Sequence, residues 1–450
     1  MSARFQVLAT VLVLAAALAS GSAGAATDPT MSLVYRGATV IDVRNGKELH
    51  GYAILTTGER IVRVAPEAEI AAPADARVVD VSGTYAIPGL INSHEHLATP
   101  PHRAFGEAMM KRDLYGGITA VRDMADDLRQ VADLTRASLV GEIPGPDIAY
   151  AAVMAGPSFF ADPRTHEVTQ GLIAGQVPWM RAVDKTTDLP RAIAEAHGSG
   201  ATAIKIYANL PGDLVAAITA EAHRQGMLVW AHAAVFPASP RQVIDAGVDA
   251  VSHACMLAYQ ASPQIPDRYA PRAGVDEARF AGATPAQVSA LLSDMRARGT
   301  VLDATVWVYD EMAREHAAHP GGAAPYCSLA LAERLTGEAW RAGDTISAGT
   351  DGFAAADDPW PALQDELQLL HDGAGLSLLA TLQAATLGGA KAMGDERDLG
   401  ALEAGKLADI VFLARDPLAD VHAYKTVTLT VKRGARFPRS DFRPASPPDR

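Results

Sequence analysis

The sequence predicts an α/β protein in which a (β/α)8 TIM barrel carries a small β-sandwich domain formed from both chain ends. Residues 84–395 alternate short apolar strands with helical patterns, which is typical of a parallel sheet. Eight such strands can be recognised, the number that closes a TIM barrel. Residues 32–83 and 396–436 instead show short strands separated by turns such as Asn45-Gly46. These two end segments are predicted to form one sandwich.

The eight barrel strands are predicted from apolar runs bounded by turn residues, and the helices from capping residues and apolar positions three and four apart. The strands are expected at residues 85–91, 117–123, 148–153, 201–207, 227–232, 250–253, 301–305 and 345–350. The first of them is expected to be broken by Pro88-Gly89. Helices are expected at 213–225, at 240–246, from Thr284-Pro285 to Gly299, at 361–373 and at 376–393. Residues 254–283 and the tail from Pro438 are expected to be loops.

Length and composition favour a large globular protein. The chain has 450 residues, 49% of them hydrophobic and 20% charged, so it can bury an extensive core. The net charge is −13, and Lys and Arg form no dense block. Nucleic-acid binding is therefore not expected, and the partner is predicted to be a small-molecule substrate. The chain can form a homo-oligomer, but its sequence does not specify the number of subunits.

The N-terminus predicts a secretory signal peptide at residues 1–25. Arg4 precedes an apolar run over residues 7–18, and small residues end at Ala23-Gly24-Ala25, a typical cleavage site. The apolar run is too short to span a bilayer. The mature protein is therefore expected to be exported, to the periplasm, without a membrane span.

The chain contains two cysteines, Cys255 and Cys327. In an exported protein they can form a disulfide, but two cysteines in so long a chain do not define a disulfide framework. Two buried thiols are the alternative.

Chemically active side chains recur at the C-terminal ends of the predicted strands, where TIM barrels hold their active sites. His94 and His96 end the first strand, and residues two apart in a strand point to the same face. Lys205 lies within an apolar strand, where an unpaired ammonium is costly, so it must be neutral, paired or modified. The full set is His94, His96, Lys205, His232, His253 and Asp351. Each alone has a structural explanation, but together they predict a metal site.

The motifs around these residues resemble those of the amidohydrolase superfamily, near its imidazolonepropionase-like and Xaa-Pro dipeptidase-like members. The resemblance covers nearly the whole mature chain. It rests on segments 88–96, 117–123, 204–206, 231–233, 252–254, 349–351 and 402–411.

The resemblance implies two divalent metal ions, usually zinc. One ion would be held by His94, His96 and Asp351, and the other by His232 and His253, with Lys205, carboxylated to a carbamate, bridging them. Two metals would polarise one water towards a bridging hydroxide. Asp351 would be the catalytic residue that takes a proton during attack and passes it to the leaving amine.

Substrate contacts are predicted near other strand ends. The candidates are Arg122, His166, Tyr207, Trp307 and Tyr309, and each can instead be a packing residue. The strand-three loop also carries Phe159, Phe160 and Arg164, where relatives often have a Gly-His motif.

The predicted function is hydrolysis of C–N amide or peptide bonds in small substrates, such as Xaa-Pro dipeptides or N-acyl amino acids. One alternative is a lactonase or esterase, because the same hydroxide attacks both kinds of carbonyl. The other is a non-catalytic exported metal-binding protein. A deaminase is less favoured, since such relatives lack the bridging lysine.

Overall fold

The structure, a computed structural model, describes residues 31–444 except 272, 323 and 356. The predicted signal peptide at residues 1–25 lies outside the described residues. Eight parallel strands form a nearly closed barrel. They are Leu90–Glu95, Ile118–Asp123, Asp147–Ala155, Ala203–Ile206, Leu228–His232, Ala250–Ser252, Val301–Asp303 and Ile346–Ser347, called barrel strands 1 to 8. A hydrogen bond from Ser93 N to Ala348 O (2.8 Å) connects the eighth strand to the first. The predicted TIM barrel is therefore confirmed.

Helices surround the barrel, and their buried positions explain their formation. In the helix Gly212–Arg224, the buried residues Val215, Ile218, Thr219 and Ala222 recur every three or four positions, so one face packs on the sheet. The α-helices are Arg103–Tyr115, Leu128–Leu139, Pro163–Glu167, Leu189–Gly198, Gly212–Arg224, Pro240–Asp245, Ala286–Arg298, Val306–Ala318, Leu329–Ala342, Leu363–Asp372, Leu378–Gln383 and Gly389–Met393. A π-helical turn, Ala384–Gly388, joins the last two. Short 3-10 helices cover Glu67–Glu69, Pro157–Ala161, Ala254–Ala261, Glu277–Phe280, Val421–Thr426 and Arg439–Asp441.

Two further sheets are built from the chain ends. The four-stranded sheet has the order Arg60–Pro66, Tyr52–Thr57, Ser32–Arg36, Arg77–Asp80. The six-stranded sheet has the order Ala435–Pro438, Val427–Lys432, Ile410–Leu413, Tyr85–Pro88, Thr39–Asp42, Lys47–Leu49. Buried residues of both sheets share one core, in which the rings of Tyr35 and Phe412 lie 5.4 Å apart. These sheets form the expected small sandwich.

The first predicted strand divides between the sandwich and the barrel. Tyr85–Pro88 pairs with Ile410–Leu413, whereas Leu90–Glu95 pairs with barrel strand 2. The break predicted at Pro88-Gly89 is therefore where one strand ends and the next begins. The chain changes sheets at Gly89, where any Cβ would overlap the side chain of Thr119, so only glycine fits.

The stretch 254–283 is more ordered than a loop. Ala254–Ala261 forms a 3-10 helix whose side chains are mostly buried, and a second 3-10 helix covers Glu277–Phe280. A disulfide joins Cys255 to Cys327, with their Cα atoms 6.3 Å apart. The bridge settles the choice left open by the sequence, and it connects the chain just after barrel strand 6 to the segment before helix Leu329–Ala342.

Two of the barrel strands are shorter than predicted, and this shortening matters for the site. Barrel strands 6 and 8 end at Ser252 and Ser347, before the predicted His253 and Asp351. Both residues have a left-handed backbone, with φ of 74° for His253 and 53° for Asp351. Such a conformation is costly for a residue with a Cβ and is concentrated at functional sites. It turns these two side chains towards the barrel axis. Among the described residues, no helix is long and apolar enough to cross a membrane.

Candidate active site

The ends of barrel strands 1 and 8 bring His94, His96 and Asp351 together. Asp351 Oδ1 lies 3.1 Å from His96 Nε2 and 3.4 Å from His94 Nε2. One ligand atom from each residue lies within 4.8 Å of the others, so the three can hold one metal ion. This is the ligand set that the resemblance to the amidohydrolase superfamily implies for the first metal.

Carboxylates behind the two histidines fix their orientation. Asp303 Oδ2 lies 2.7 Å from His94 Nδ1, and Asp126 Oδ1 lies 3.2 Å from His96 Nδ1. Each contact occupies Nδ1 and leaves Nε2 to face the cavity. Metal-binding histidines in proteins almost always have such a partner on the second ring nitrogen. The donor set therefore fits a divalent cation such as zinc, which prefers imidazole nitrogen and carboxylate oxygen.

Asp303 links the first histidine to the lysine of barrel strand 4. It accepts hydrogen bonds from Ser252 Oγ (2.8 Å) and from Arg122 Nη2 (3.1 Å). Ser252 Oγ in turn accepts one from Lys205 Nζ (3.2 Å). Lys205 is completely buried, and burial lowers its pKa to about 7. A large fraction of this amine is therefore neutral at neutral pH, the form that can react with carbon dioxide.

His232 and His253 approach from barrel strands 5 and 6. Their ring centroids lie 4.8 Å apart, and the ring of His253 lies 5.0 Å from that of His94. His253 Nδ1 contacts Thr305 Oγ1 at 3.0 Å, which leaves its Nε2 for the cavity. Burial lowers the pKa of His253 to about 3, so this ring stays neutral and able to donate a lone pair.

Asp351 is the ionised centre of this group. Burial opposes its ionisation, but the neighbouring ring of His94 and the hydrogen bond with His96 hold its pKa well below the usual range. Burial also opposes the charged form of His96, yet hydrogen bonds to Asp126 and Asp351 raise its pKa to about 10. Asp351 is thus a carboxylate throughout the neutral range, as a proton acceptor must be.

Gly349, in the segment 349–351, has a steric role. A Cβ at this position would overlap the carboxylate of Asp303 and lie 2.8 Å from His94 Cβ. The glycine therefore allows the segment that follows barrel strand 8 to approach His94 and its carboxylate partner closely.

The six predicted metal ligands surround the base of a cavity of about 500 Å³, and five of them line it. Lys205 is the exception, because its side chain is completely buried and does not reach the cavity surface. Phe159, Tyr207 and Tyr269 form one aromatic wall, with Phe159 and Tyr207 stacked at 4.6 Å. Trp307 and Met312 contribute to another wall. The cavity has the size and mixed lining of a small-molecule site.

The structure separates the predicted substrate contacts into two groups. Tyr207 and Trp307 line the cavity. Arg122, His166 and Tyr309 do not belong to its lining.

The contacts and exposure of these three residues explain why they do not line the cavity. Arg122 is fully buried below the ligands, where it donates to Ser93 O (2.7 Å) and Asp303 and stacks on Trp230. Tyr309 is also fully buried and contacts the hydroxyl of Tyr326 at 2.7 Å. His166 is exposed to solvent and does not line the cavity, whereas Arg164, two residues earlier in the same helix, does.

Several residues of the site were missed by the sequence reasoning. Asp303 ends the apolar segment Val301-Leu302-Asp303, and a charged residue at that position was an available signal. Asp126 precedes a helix, where an aspartate usually indicates a cap. Tyr269 lies in a stretch without periodicity, and nothing in the local sequence places it beside His232, to which its ring stacks at 5.4 Å.

Fold, ligands and cavity together define a metal-dependent hydrolase. The amidohydrolase family model matches residues 85–436, and the chain belongs to this family. It is therefore an enzyme of the hydrolase class, and the superfamily predicted from the sequence is confirmed.

Known proteins similar to this chain include deaminases and prolidase-like enzymes. Adenine deaminase of Rubrobacter xylanophilus is 27% identical over 197 residues, which are 35% of this chain and 32% of that protein. The match thus spans about a third of that relative. A solved Xaa-Pro dipeptidase with bound methionine has a TM-score of 0.70 at 20% identity and covers 90% of this chain and 100% of its own. A prolidase-like protein from Bifidobacterium longum has a TM-score of 0.69 at 24% identity and covers 94% of this chain and 97% of its own. At these identities the structural likeness establishes the fold.

Proposed function

We propose that the enzyme hydrolyses the amide bond before a C-terminal residue, in dipeptides such as Xaa-Pro or in N-acyl amino acids. The observation that carries this proposal is the arrangement of Asp351 among three histidines at the base of a cavity that Arg164 also lines. Asp351 and the three histidines would carry out amide hydrolysis. Arg164 would bind the carboxylate of the substrate.

The proposed cofactor is a pair of divalent metals, zinc in the first instance. His94, His96 and Asp351 would hold one ion, His232 and His253 the other, and carboxylated Lys205 both. Bound metals would polarise water and the scissile carbonyl. Asp351, already ionised and within 3.7 Å of three imidazoles, would accept the proton of the attacking water and return it to the leaving nitrogen.

Arg164 is the proposed carboxylate-binding residue. It follows barrel strand 3 and is fixed by two hydrogen bonds to Asp162, from Nε (3.1 Å) and from Nη2 (2.7 Å). A guanidinium has five donor hydrogens, so others remain for a substrate carboxylate. Burial raises the pKa of Tyr207 well above its usual value, so its hydroxyl stays protonated and can donate a second hydrogen bond.

A substrate panel tests this proposal. The panel contains Xaa-Pro dipeptides, N-acyl amino acids, the C-terminal amides of both, and simple lactones; kcat/KM is measured for each with zinc-loaded enzyme. Free acids should be cleaved well and their C-terminal amides poorly. If amides turn over as fast as free acids, the carboxylate proposal fails. If kcat/KM is higher for lactones than for every amide, the lactonase hypothesis replaces it. Adenine in the same panel tests deamination.

Arg129 provides a matched control for Arg164. It makes the same two-bond contact with the aspartate two residues before it, through Nε to Asp127 Oδ1 (2.9 Å) and Nη2 to Asp127 Oδ2, but it does not line the cavity. Arg164→Gln should therefore lower kcat/KM for free acids by roughly 10–100-fold, the effect of losing a hydrogen bond to a charged group. Arg129→Gln should leave it unchanged.

We also propose that the enzyme is exported and works in an oxidising compartment, the periplasm. The predicted signal peptide supports this location, and so does the disulfide between Cys255 and Cys327, since such bridges persist outside the reducing cytosol. Mass spectrometry of the protein recovered from the periplasmic fraction should give an N-terminus after Ala25. An intact N-terminus on a cytosolic protein would contradict the proposal.

A further inference from the structure

We propose that Glu311 binds the free α-ammonium group of the substrate, so that unblocked dipeptides are preferred over N-acyl amino acids. This inference rests on the proposed function, which leaves the two substrate classes open. It is carried by the position and charge of two side chains in the cavity.

The cavity is almost free of formal charge apart from its metal ligands. Among the lining residues that the structure describes, two other side chains carry full charges: Arg164 and Glu311. The remaining lining is apolar, aromatic or hydroxyl-bearing, as with Met256, Met312 and Thr165. One cation and one anion in such a lining match a substrate that carries one charge of each sign.

The two charges lie on opposite sides of the barrel. Arg164 belongs to the connection after barrel strand 3, and Glu311 lies on the helix Val306–Ala318 that follows barrel strand 7. Strands three and seven are four apart in an eight-stranded barrel, which places them across the axis from each other. The metal ligands lie on strands to both sides of the line between them. A substrate held at both ends by these two side chains would therefore lie across the metal-ligand centre.

The helix Val306–Ala318 presents one face to the cavity. Trp307, Val308, Glu311 and Met312 line the cavity, and their spacing of one, three and one residues places them together on consecutive turns. Trp307, Val308 and Met312 supply apolar surface. Glu311 thus stands at the edge of an apolar wall that can receive the N-terminal side chain of a dipeptide.

Glu311 retains negative charge for a ligand. Its partner Arg314 is shared, because Arg314 Nη2 lies 2.9 Å from Glu311 and Arg314 Nε lies 3.0 Å from Asp310. Two carboxylates and one guanidinium leave a net charge of −1 on this part of the helix. The Glu311 side chain is 47% exposed, so a ligand can reach it.

Paired substrates test the inference. An Xaa-Pro dipeptide and its N-acetyl derivative share the scissile bond and the carboxylate and differ in the ammonium charge. Wild-type enzyme should show a kcat/KM roughly tenfold or more higher for the free dipeptide, and Glu311→Gln should abolish this preference by lowering only the dipeptide value. Asp310→Asn is the control, because it removes a carboxylate from the same arginine at a position outside the cavity lining; it should preserve the preference.

Equilibrium binding separates this inference from the proposed function. Both ligands are titrated calorimetrically into zinc-loaded Asp351→Asn protein, with and without Glu311→Gln. Tighter binding of the free dipeptide that depends on Glu311 supports the inference even if wild-type enzyme cleaves neither ligand, a result that would overturn only the proposed function. Equal affinity for the two ligands, or a preference unchanged by Glu311→Gln, overturns the inference even if both are cleaved.

Discussion

Asp303→Asn should weaken metal binding and destabilise the protein through two separate contacts. Asp303 is fully buried and lies between His94 Nδ1 (2.7 Å) and Arg122 Nη2 (3.1 Å). The first contact orients a predicted metal ligand. The second balances a guanidinium that is itself fully buried. An asparagine has nearly the same shape, so the substitution mainly removes the charge.

The magnitudes follow from these contacts. Loss of the carboxylate behind a metal-binding histidine typically costs 10–100-fold in metal affinity. Removing one partner of a buried ion pair typically costs about 3–5 kcal/mol, because the other charge stays buried without compensation. Arg122 keeps its hydrogen bonds to Ser93 O and Ala392 O, so we expect the lower end of that range. A domain with an unfolding free energy of about 5–15 kcal/mol would still fold.

The assay combines urea unfolding of metal-free protein with zinc competition against a chromophoric chelator. Asp126→Asn is the control, since Asp126 contacts His96 Nδ1 but pairs with no buried arginine in the described structure. It should weaken zinc binding while costing less stability than Asp303→Asn. If Asp303→Asn leaves zinc affinity unchanged, or if both variants lose equal stability, the assigned roles of Asp303 are wrong.

Three further predictions concern a bridging ligand, a proton carrier and a buried acid. Lys205→Ala should reduce bound metal from about two ions per chain to about one and abolish most activity, with partial recovery on adding a short carboxylic acid; elemental analysis giving unchanged metal content would exclude the bridge. Asp351→Asn should lower kcat by roughly 10²–10⁴-fold while the melting temperature is retained, and the reverse pattern would indicate a structural turn instead. Asp344 is buried without a hydrogen-bond partner for either side-chain oxygen in the described structure, and burial raises its pKa to about 7. Because the folded protein then holds a proton that the unfolded chain releases near pH 4, stability falls as pH rises from about 4 to 7; Asp344→Asn should add about 1–3 kcal/mol above pH 7 and little at pH 4, measured by urea unfolding. An equal gain at both pH values would contradict this.

The barrel was predictable because its signal is local and repeated. Each strand is an apolar run, and His94, His232 and Asp351 stand at the places where such runs end. What the sequence could not show is which other side chains meet these ends. The role of Asp303 depends on contacts with Arg122, 181 residues away, and the position of Tyr269 depends on how an aperiodic stretch folds over barrel strand 5. Arg122 was predicted to line the cavity because it lies at a strand end. Its position in the sequence does not show whether its side chain faces the cavity or is buried below the metal ligands.

Metal-dependent amide hydrolysis is the central claim, and titrating stripped enzyme with zinc tests it most directly. Protein freed of metal by a chelator is incubated with bicarbonate and increasing zinc, and the initial rate of Xaa-Pro dipeptide hydrolysis is measured at each step. The rate should start near zero and rise to a plateau at about two zinc ions per chain, as expected for a two-metal hydrolase. Hydrolysis that persists in stripped protein, or zinc binding to saturation without any turnover across the amide panel, would contradict the account.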